Sequence, residues 1–73
     1  MSLPRLLKVS EIAASDPAFP KLVEDYVVAQ SKGFKWAPIV CTCADGGFIV
    51  KDGNHRVAAA RRLGHGFIWA IVR

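Results

Sequence analysis

Chemistry is concentrated in one short stretch, Asp52-Gly53-Asn54-His55-Arg56, where four polar side chains flank a glycine. The apolar run Phe48–Lys51 stops just before it, and the alanine-rich run from Val57 to Leu63 starts just after it. A strand that turns through a glycine into a helix gathers unpaired backbone N–H groups and the positive end of the helix dipole at one point. Phosphate is the natural occupant of such a point. Gly53 lets the backbone approach it, Asn54 and His55 can donate hydrogen bonds, and Arg56 can clamp two phosphate oxygens. Asp52, four residues before Arg56, can fix the guanidinium, act as a general base, or hold a metal with a nucleotide phosphate. The same five residues also fit an ordinary turn and helix start, with Asp52 and Asn54 as turn and cap residues and His55 and Arg56 exposed. The bare pattern leaves both readings open.

Other candidates are weaker. Cys41-Thr42-Cys43 invites a metal or redox reading, but a metal site needs further ligands and only His55 and His65 are on offer. At i and i+2 on a strand both thiols point the same way, and buried structural thiols are the expectation. His65, between Gly64 and Gly66, reads as a solvent-facing loop residue. Trp36, Trp69 and Tyr26 can stack on a base or fill a core or an interface, and Trp36 beside Lys35 is the one to watch.

The elements that must position these residues follow from periodicity. Arg5–Val9 suits an edge strand, and Ser10 can cap a brief helical turn through Glu11–Ala14. Ser15-Asp16-Pro17 breaks the chain. Phe19, Leu22, Val23, Tyr26 and Val27 fall at i, i+3, i+4, i+7 and i+8, which predicts an amphipathic helix that Gly33 ends. After Gly33 the period becomes two. Ile39–Ala44 and Phe48–Lys51 flank Asp45-Gly46-Gly47, and Asp-Gly signals a type I′ hairpin. A two-residue loop sets Cys43 opposite Phe48, Thr42 opposite Ile49 and Cys41 opposite Val50. Ile39, Cys41, Cys43, Phe48 and Val50 then share the core face. His55–Leu63 is predicted as a helix closed by Gly64, and Gly66–Val72 as a strand covered on both sides. If the strands flanking that helix are parallel neighbours, the passage is a βαβ crossover. The order is β-α-β-β-α-β: an α+β fold with a small mixed four-stranded sheet and helices packed on it, in a single domain spanning 1–73.

The run from Asp45 to Gly64 resembles the signature of the ParB/sulfiredoxin-like superfamily: strand, turn, strand, a Gly-x-(His/Arg)-Arg turn, an alanine-rich helix, Leu-Gly, strand. Leu6–Ile12 is similar to the family's first strand and the segment after it, and Pro38-Ile39-Val40 to its approach to the hairpin. The chain thus looks like a minimal, stand-alone ParB-like N-terminal domain. Sulfiredoxins carry a catalytic cysteine in Gly-Cys-His-Arg. Asn54 stands there in this chain, so sulfinic-acid reduction is not expected, whereas His55 and Arg56 imply retained phosphate contacts. ParB proteins carry Gly-Glu-Arg-Arg, bind CTP and continue into a helix-turn-helix. No helix-turn-helix follows here, so direct DNA binding is not expected from this chain alone. Free-serine kinases of the superfamily have Asp-Gly-His-His-Arg. Asp52, Gly53, His55 and Arg56 match it, Asn54 departs, and Glu11 is similar to an early acidic residue. The resemblance implies a nucleotide- or phosphate-binding domain using Gly53, Asn54, His55 and Arg56, with ATP, ADP or CTP and Mg as the cofactor class. The alternatives are a small phosphotransferase or nuclease-like enzyme, with Asp52 and Glu11 as catalytic acids, and a non-catalytic interaction module from a mobile element or plasmid system.

Size and composition bound these readings. Seventy-three residues make one domain, too few for a two-domain enzyme with an interdomain cleft. A charged share of 22% and an aromatic share of 10% exclude a disordered chain. The net charge is +4, with the excess around Lys51, Arg56, Arg61 and Arg62. Arg61 and Arg62 read as solvated helix-face charges. With no signal-peptide pattern, no membrane-length apolar run and two cysteines, a cytoplasmic address with reduced thiols is expected. A hydrophobic share of 52% is high for so short a chain. It leads us to expect a homodimer that covers the Phe19–Val27 helix or the Phe67–Val72 strand.

Overall fold

The hairpin forms in the register that its two-residue loop dictates, with Cys43 opposite Phe48, Thr42 opposite Ile49 and Cys41 opposite Val50. This is seen in a computed structural model, which describes residues 3–14 and 16–73. Ser15, one residue of the expected break before Pro17, lies outside them. The elements are β1 (Arg5–Lys8), a 3-10 turn (Val9–Glu11), β2 (Ile12–Ala13), α1 (Pro20–Ser31), β3 (Ile39–Ala44), β4 (Gly47–Asp52), α2 (Asn54–Leu63) and β5 (Phe67–Val72). They build an α+β fold around a mixed sheet in the order β1-β5-β3-β4-β2.

Among the described residues the sheet therefore has five strands, not four. The expected helical turn over Glu11–Ala14 is replaced by the 3-10 turn and β2, and no side chain caps the turn. Ile12 is 2% exposed, and extended backbone is what carries it into the core beside Phe48. The crossover also differs. β4 and β5, which flank α2, are not neighbours: β3 lies between them, antiparallel to β4 and parallel to β5. The hairpin turn is not type I′, because Gly46 takes a positive φ of 79° and Asp45 does not.

β1 and β2 occupy opposite edges, yet only the three-residue turn separates them. Four strand spacings in a flat sheet would be roughly 19 Å, whereas the chain from Lys8 to Ile12 reaches about 14 Å at most. The sheet must curl. Inside the curl lies the core, with Ile39, Cys41, Val50, Val57 and Ala70 fully buried. Gly47 is required by this closure, because a Cβ there would lie 2.6 Å from the carbonyl oxygen of Glu11.

Two core expectations are corrected. Cys43 is exposed and Phe48 is only half-buried, because the hairpin tip projects past the region the helices cover. β5 is covered on one face only: Ile68 and Ala70 are buried, while Phe67 and Trp69 are more than half exposed. On α1, Val23 is buried but Phe19 and Leu22 are exposed, because α1 packs mainly on α2 rather than on the sheet. Pro20 occupies the first turn of α1, where its missing N–H costs nothing. No helix among the described residues is long and apolar enough to cross a membrane.

Candidate functional site

The turn from β4 into α2 exists because Gly53 takes φ 107°, a left-handed conformation that L side chains rarely adopt. Space requires glycine as well: a Cβ would sit 2.5 Å from Ile39 Cγ2 and 2.9 Å from Arg56 Nη2. The residue expected to let a phosphate approach is thus also needed for α2 to start against β3. Asn54 is the first helical residue rather than part of the turn, and among the described residues no side chain caps the helix. The first backbone hydrogen bond of α2 runs from Val57 N–H to the Gly53 carbonyl at 3.0 Å. The N–H groups of Asn54, His55 and Arg56 lie ahead of it, without intrahelical acceptors.

Arg56 turns inward. It is 8% exposed, and its Nη1 donates to the carbonyls of Ala37 at 2.7 Å and Pro38 at 3.3 Å. Nη2 meets Asp52 Oδ2 at 3.4 Å. The guanidinium therefore ties the approach to β3 onto the start of α2, as well as bringing positive charge to this point. Asp52 is 77% exposed at its side chain, so the ion pair adds little stability and the carboxylate stays open to solvent.

Asn54 Nδ2 donates to the Asp16 carbonyl at 2.6 Å, which pins the segment before α1 to the start of α2. The His55 ring stacks on Phe19, with centroids 5.8 Å apart and 16° between planes. Three buried polar atoms at this spot have no partner among the described residues: Asn54 Oδ1, His55 Nε2 and Arg56 Nε. An acceptor, an imidazole nitrogen and a guanidinium N–H, from three successive residues, are thus left unsatisfied at the positive end of one helix. Buried polar groups are otherwise almost always paired.

Glu11 is not brought to Asp52. Its carbonyl lies against Gly47, at the opposite end of β4 from Asp52, and five residues of strand span on the order of 15 Å. Among the described residues no three His, Cys, Asp or Glu side chains gather as a metal cluster. Burial pushes the Cys41 thiol above its ordinary value, which suits a structural role. Arg61 and Arg62 are engaged rather than free: Arg61 donates to the Ile12 carbonyl and Arg62 pairs with Glu24.

A concavity lies elsewhere, at the C-terminal end of both helices. It is a groove of about 410 Å³ between the loop Gly33–Ala37 and β5. Trp36 stands in its wall, with Nε1 donating to the Tyr26 carbonyl at 3.0 Å and its ring edge-on to Tyr26 and His65. The sequence marked Trp36 and Lys35 but not the groove, nor the stacking of Phe19 on His55. Both features join residues far apart in the chain, and no local pattern signals them.

No protein-family model matches the chain, and no curated protein matches it in sequence. Solved structures do. The chain is similar to a free serine kinase in complex with AMP, with TM-score 0.87 and 16% identity over 96% of this chain and 30% of that one. It is similar to sulfiredoxin from Arabidopsis thaliana, with TM-score 0.76 and 21% identity over 97% of this chain and 84% of that one. It is also similar to the C-terminally truncated chromosome-partitioning protein ParB from Caulobacter crescentus complexed with CTP-gamma-S, with TM-score 0.78 and 19% identity over 96% of this chain and 43% of that one. At such identities the likeness shows the fold, which is the ParB/sulfiredoxin-like one. The chain spans less than a third of the kinase.

Proposed function

We propose that this chain is a nucleotide- or phosphate-binding domain of the ParB/sulfiredoxin-like superfamily, with its anion site at the N-terminal turn of α2. The observation that carries the reading is the trio of buried, unpartnered polar atoms on Asn54, His55 and Arg56, beside uncapped N–H groups. A phosphate takes hydrogen bonds from those N–H groups and from Arg56 Nε, while the helix dipole favours its charge. His55 Nε2 donates to a phosphate oxygen when protonated there, and Asn54 Oδ1 accepts from a ribose hydroxyl or a base amine. Gly53 shapes the turn, and Arg56 holds the approach to β3 against it. Asp52, exposed and beside Arg56, is the carboxylate in place to meet an Mg ion carried by the nucleotide. Two of the similar structures, the kinase and ParB, hold nucleotides.

The phosphotransferase reading has Asp52, with Glu11 beside it, as catalytic acids, and their separation along β4 favours binding over paired acid–base chemistry. Calorimetric titration with ATP, ADP and CTP, each with and without Mg²⁺, tests the proposal. We expect a dissociation constant below about 1 mM for at least one nucleotide, equivalent to about −4 kcal/mol. His55→Ala and Asn54→Ala should each weaken it about tenfold. Absence of submillimolar binding to all three would overturn the reading. Turnover of a nucleotide by the wild type and not by Asp52→Asn would move the domain to the enzyme class.

A further inference from the structure

The groove at the far end of the helices opens onto a second surface, the face of β1 and β5 turned away from the core. Leu6 lies opposite Trp69 and Lys8 opposite Phe67 across that strand pair. Leu6, Phe67, Trp69 and the neighbouring Phe34 are each more than half exposed. Phe34, Phe67 and Trp69 also line the groove, so groove and strand face form one apolar surface. Large contiguous apolar surface on a small soluble chain marks an interaction site.

Charge selects the occupant. None of the residues lining the groove is acidic, and Lys35 is the cation among them. On the β1–β5 face Lys8 stands beside the aromatics, opposite Phe67. A second copy docked through this surface would bring the Lys8 and Lys35 of both copies into one interface, with no acidic residue of the groove lining to offset them. A small polar ligand would need several convergent polar groups, but the Trp36 indole and the His65 ring are already held by Tyr26 and Gln30. Nucleic acid would need more than two cations to hold its phosphates.

We propose that this surface docks an apolar segment of a partner protein that carries carboxylates among its large apolar side chains. An aromatic or leucine anchor fills the groove between Trp36 and Trp69, and the carboxylates meet Lys8 and Lys35. Interfaces concentrate their affinity in such aromatic-walled pockets. The site lies at the opposite end of α2 from the phosphate-binding turn and does not rest on the proposed nucleotide function.

The test is selection of a displayed library of random peptides against the folded chain, followed by titration of a synthesised winner. We expect enrichment of peptides combining large apolar residues with Asp or Glu. Trp69→Ala, at an exposed position, should weaken the winner more than tenfold. The double variant Lys8→Glu/Lys35→Glu should do the same, and a peptide with its acids changed to lysine should regain binding to that variant. Winners without acidic bias, or with affinity unchanged by Trp69→Ala, overturn the proposal. So does a dimer in sedimentation that Trp69→Ala dissociates, which assigns the face to a second copy. Binding of oligothymidylate that is lost with Trp69→Ala overturns it too, in favour of single-stranded nucleic acid.

Discussion

The two ends of α2 leave opposite things unsatisfied. At its N-terminus, three successive residues bury polar atoms that find no partner among the described residues. At its C-terminus the polar groups are engaged: Arg62 with Glu24, Arg61 with the Ile12 carbonyl, and His65 with Gln30. What remains open there is aromatic surface. Unpaired polar atoms call for a ligand that brings hydrogen bonds, whereas uncovered apolar surface calls for a partner that brings area. The contrast separates the proposed small-molecule site from the proposed protein-docking site on a single ten-residue helix.

The sharpest way to break the comparison is to damage the turn that supports the polar end. Gly53→Ala combines a disfavoured left-handed φ with a contact of 2.5 Å to Ile39. It should cost roughly 2–5 kcal/mol in urea denaturation. Gly66→Ala is the control, since nothing lies within 4 Å of its added Cβ. That change should leave stability within about 1 kcal/mol of the wild type.

Arg56 comes next. Removing a buried guanidinium that holds two carbonyls should cost about 2–3 kcal/mol in Arg56→Ala. Lost nucleotide binding in that variant would therefore mix unfolding with loss of a ligand contact. Arg56→Lys keeps the charge and part of the packing, so binding measured on it at matched stability separates the two roles.

A crossed pair of variants sharpens the comparison further. His55→Ala should weaken nucleotide about tenfold, or about 1.4 kcal/mol, and leave the selected peptide unaffected. Trp69→Ala should do the reverse. If either variant moved both ligands equally, the two ends would be one site.

The smallest effect concerns the thiols. Native alkylation followed by peptide mapping should label Cys43, which is exposed, and spare Cys41 until the chain unfolds. Burial raises the Cys41 pKa, so its neutral form is favoured in the fold. The stability this contributes is whole below the unfolded thiol value and lost as pH rises through the folded one. Alkaline destabilisation beginning near pH 9.0 should be shallower in Cys41→Ala than in the wild type.

How much of this was legible in the sequence depends on how far apart the cooperating residues lie. The hairpin register followed from Asp45-Gly46, the α1 period from Phe19 to Val27, and the turn at Gly53 from a strand meeting a helix. Each is set by neighbours. β2 was missed because two residues are too few to show a period, and Ile12 is extended only because β4 is there to pair with it. Cys43 was placed in the core because strand alternation fixes the face a side chain shares, not where the covering helices stop. Arg56 reads as a phosphate clamp or as an exposed helix-start residue, and not as a buried tie, because its carbonyl partners at Ala37 and Pro38 belong to another element. The aromatic groove joins two stretches far apart in the chain, Gln30–Ala37 and His65–Trp69, so Trp36, Lys35 and Trp69 stood out singly and the groove did not.

The curl that brings β1 and β2 to opposite edges gives the segment from Arg5 to Ala13 a protective duty. It pairs with Phe67–Ala70 of β5 through one strand and with Phe48 and Ile49 of β4 through the next, so a single short stretch occupies part of both hydrogen-bonding borders of the three central strands. Strand borders left bare are templates for joining other chains. A chain lacking Arg5–Ala13 would bare part of both borders at once, one on each side, and growth from both sides is what a polymer needs.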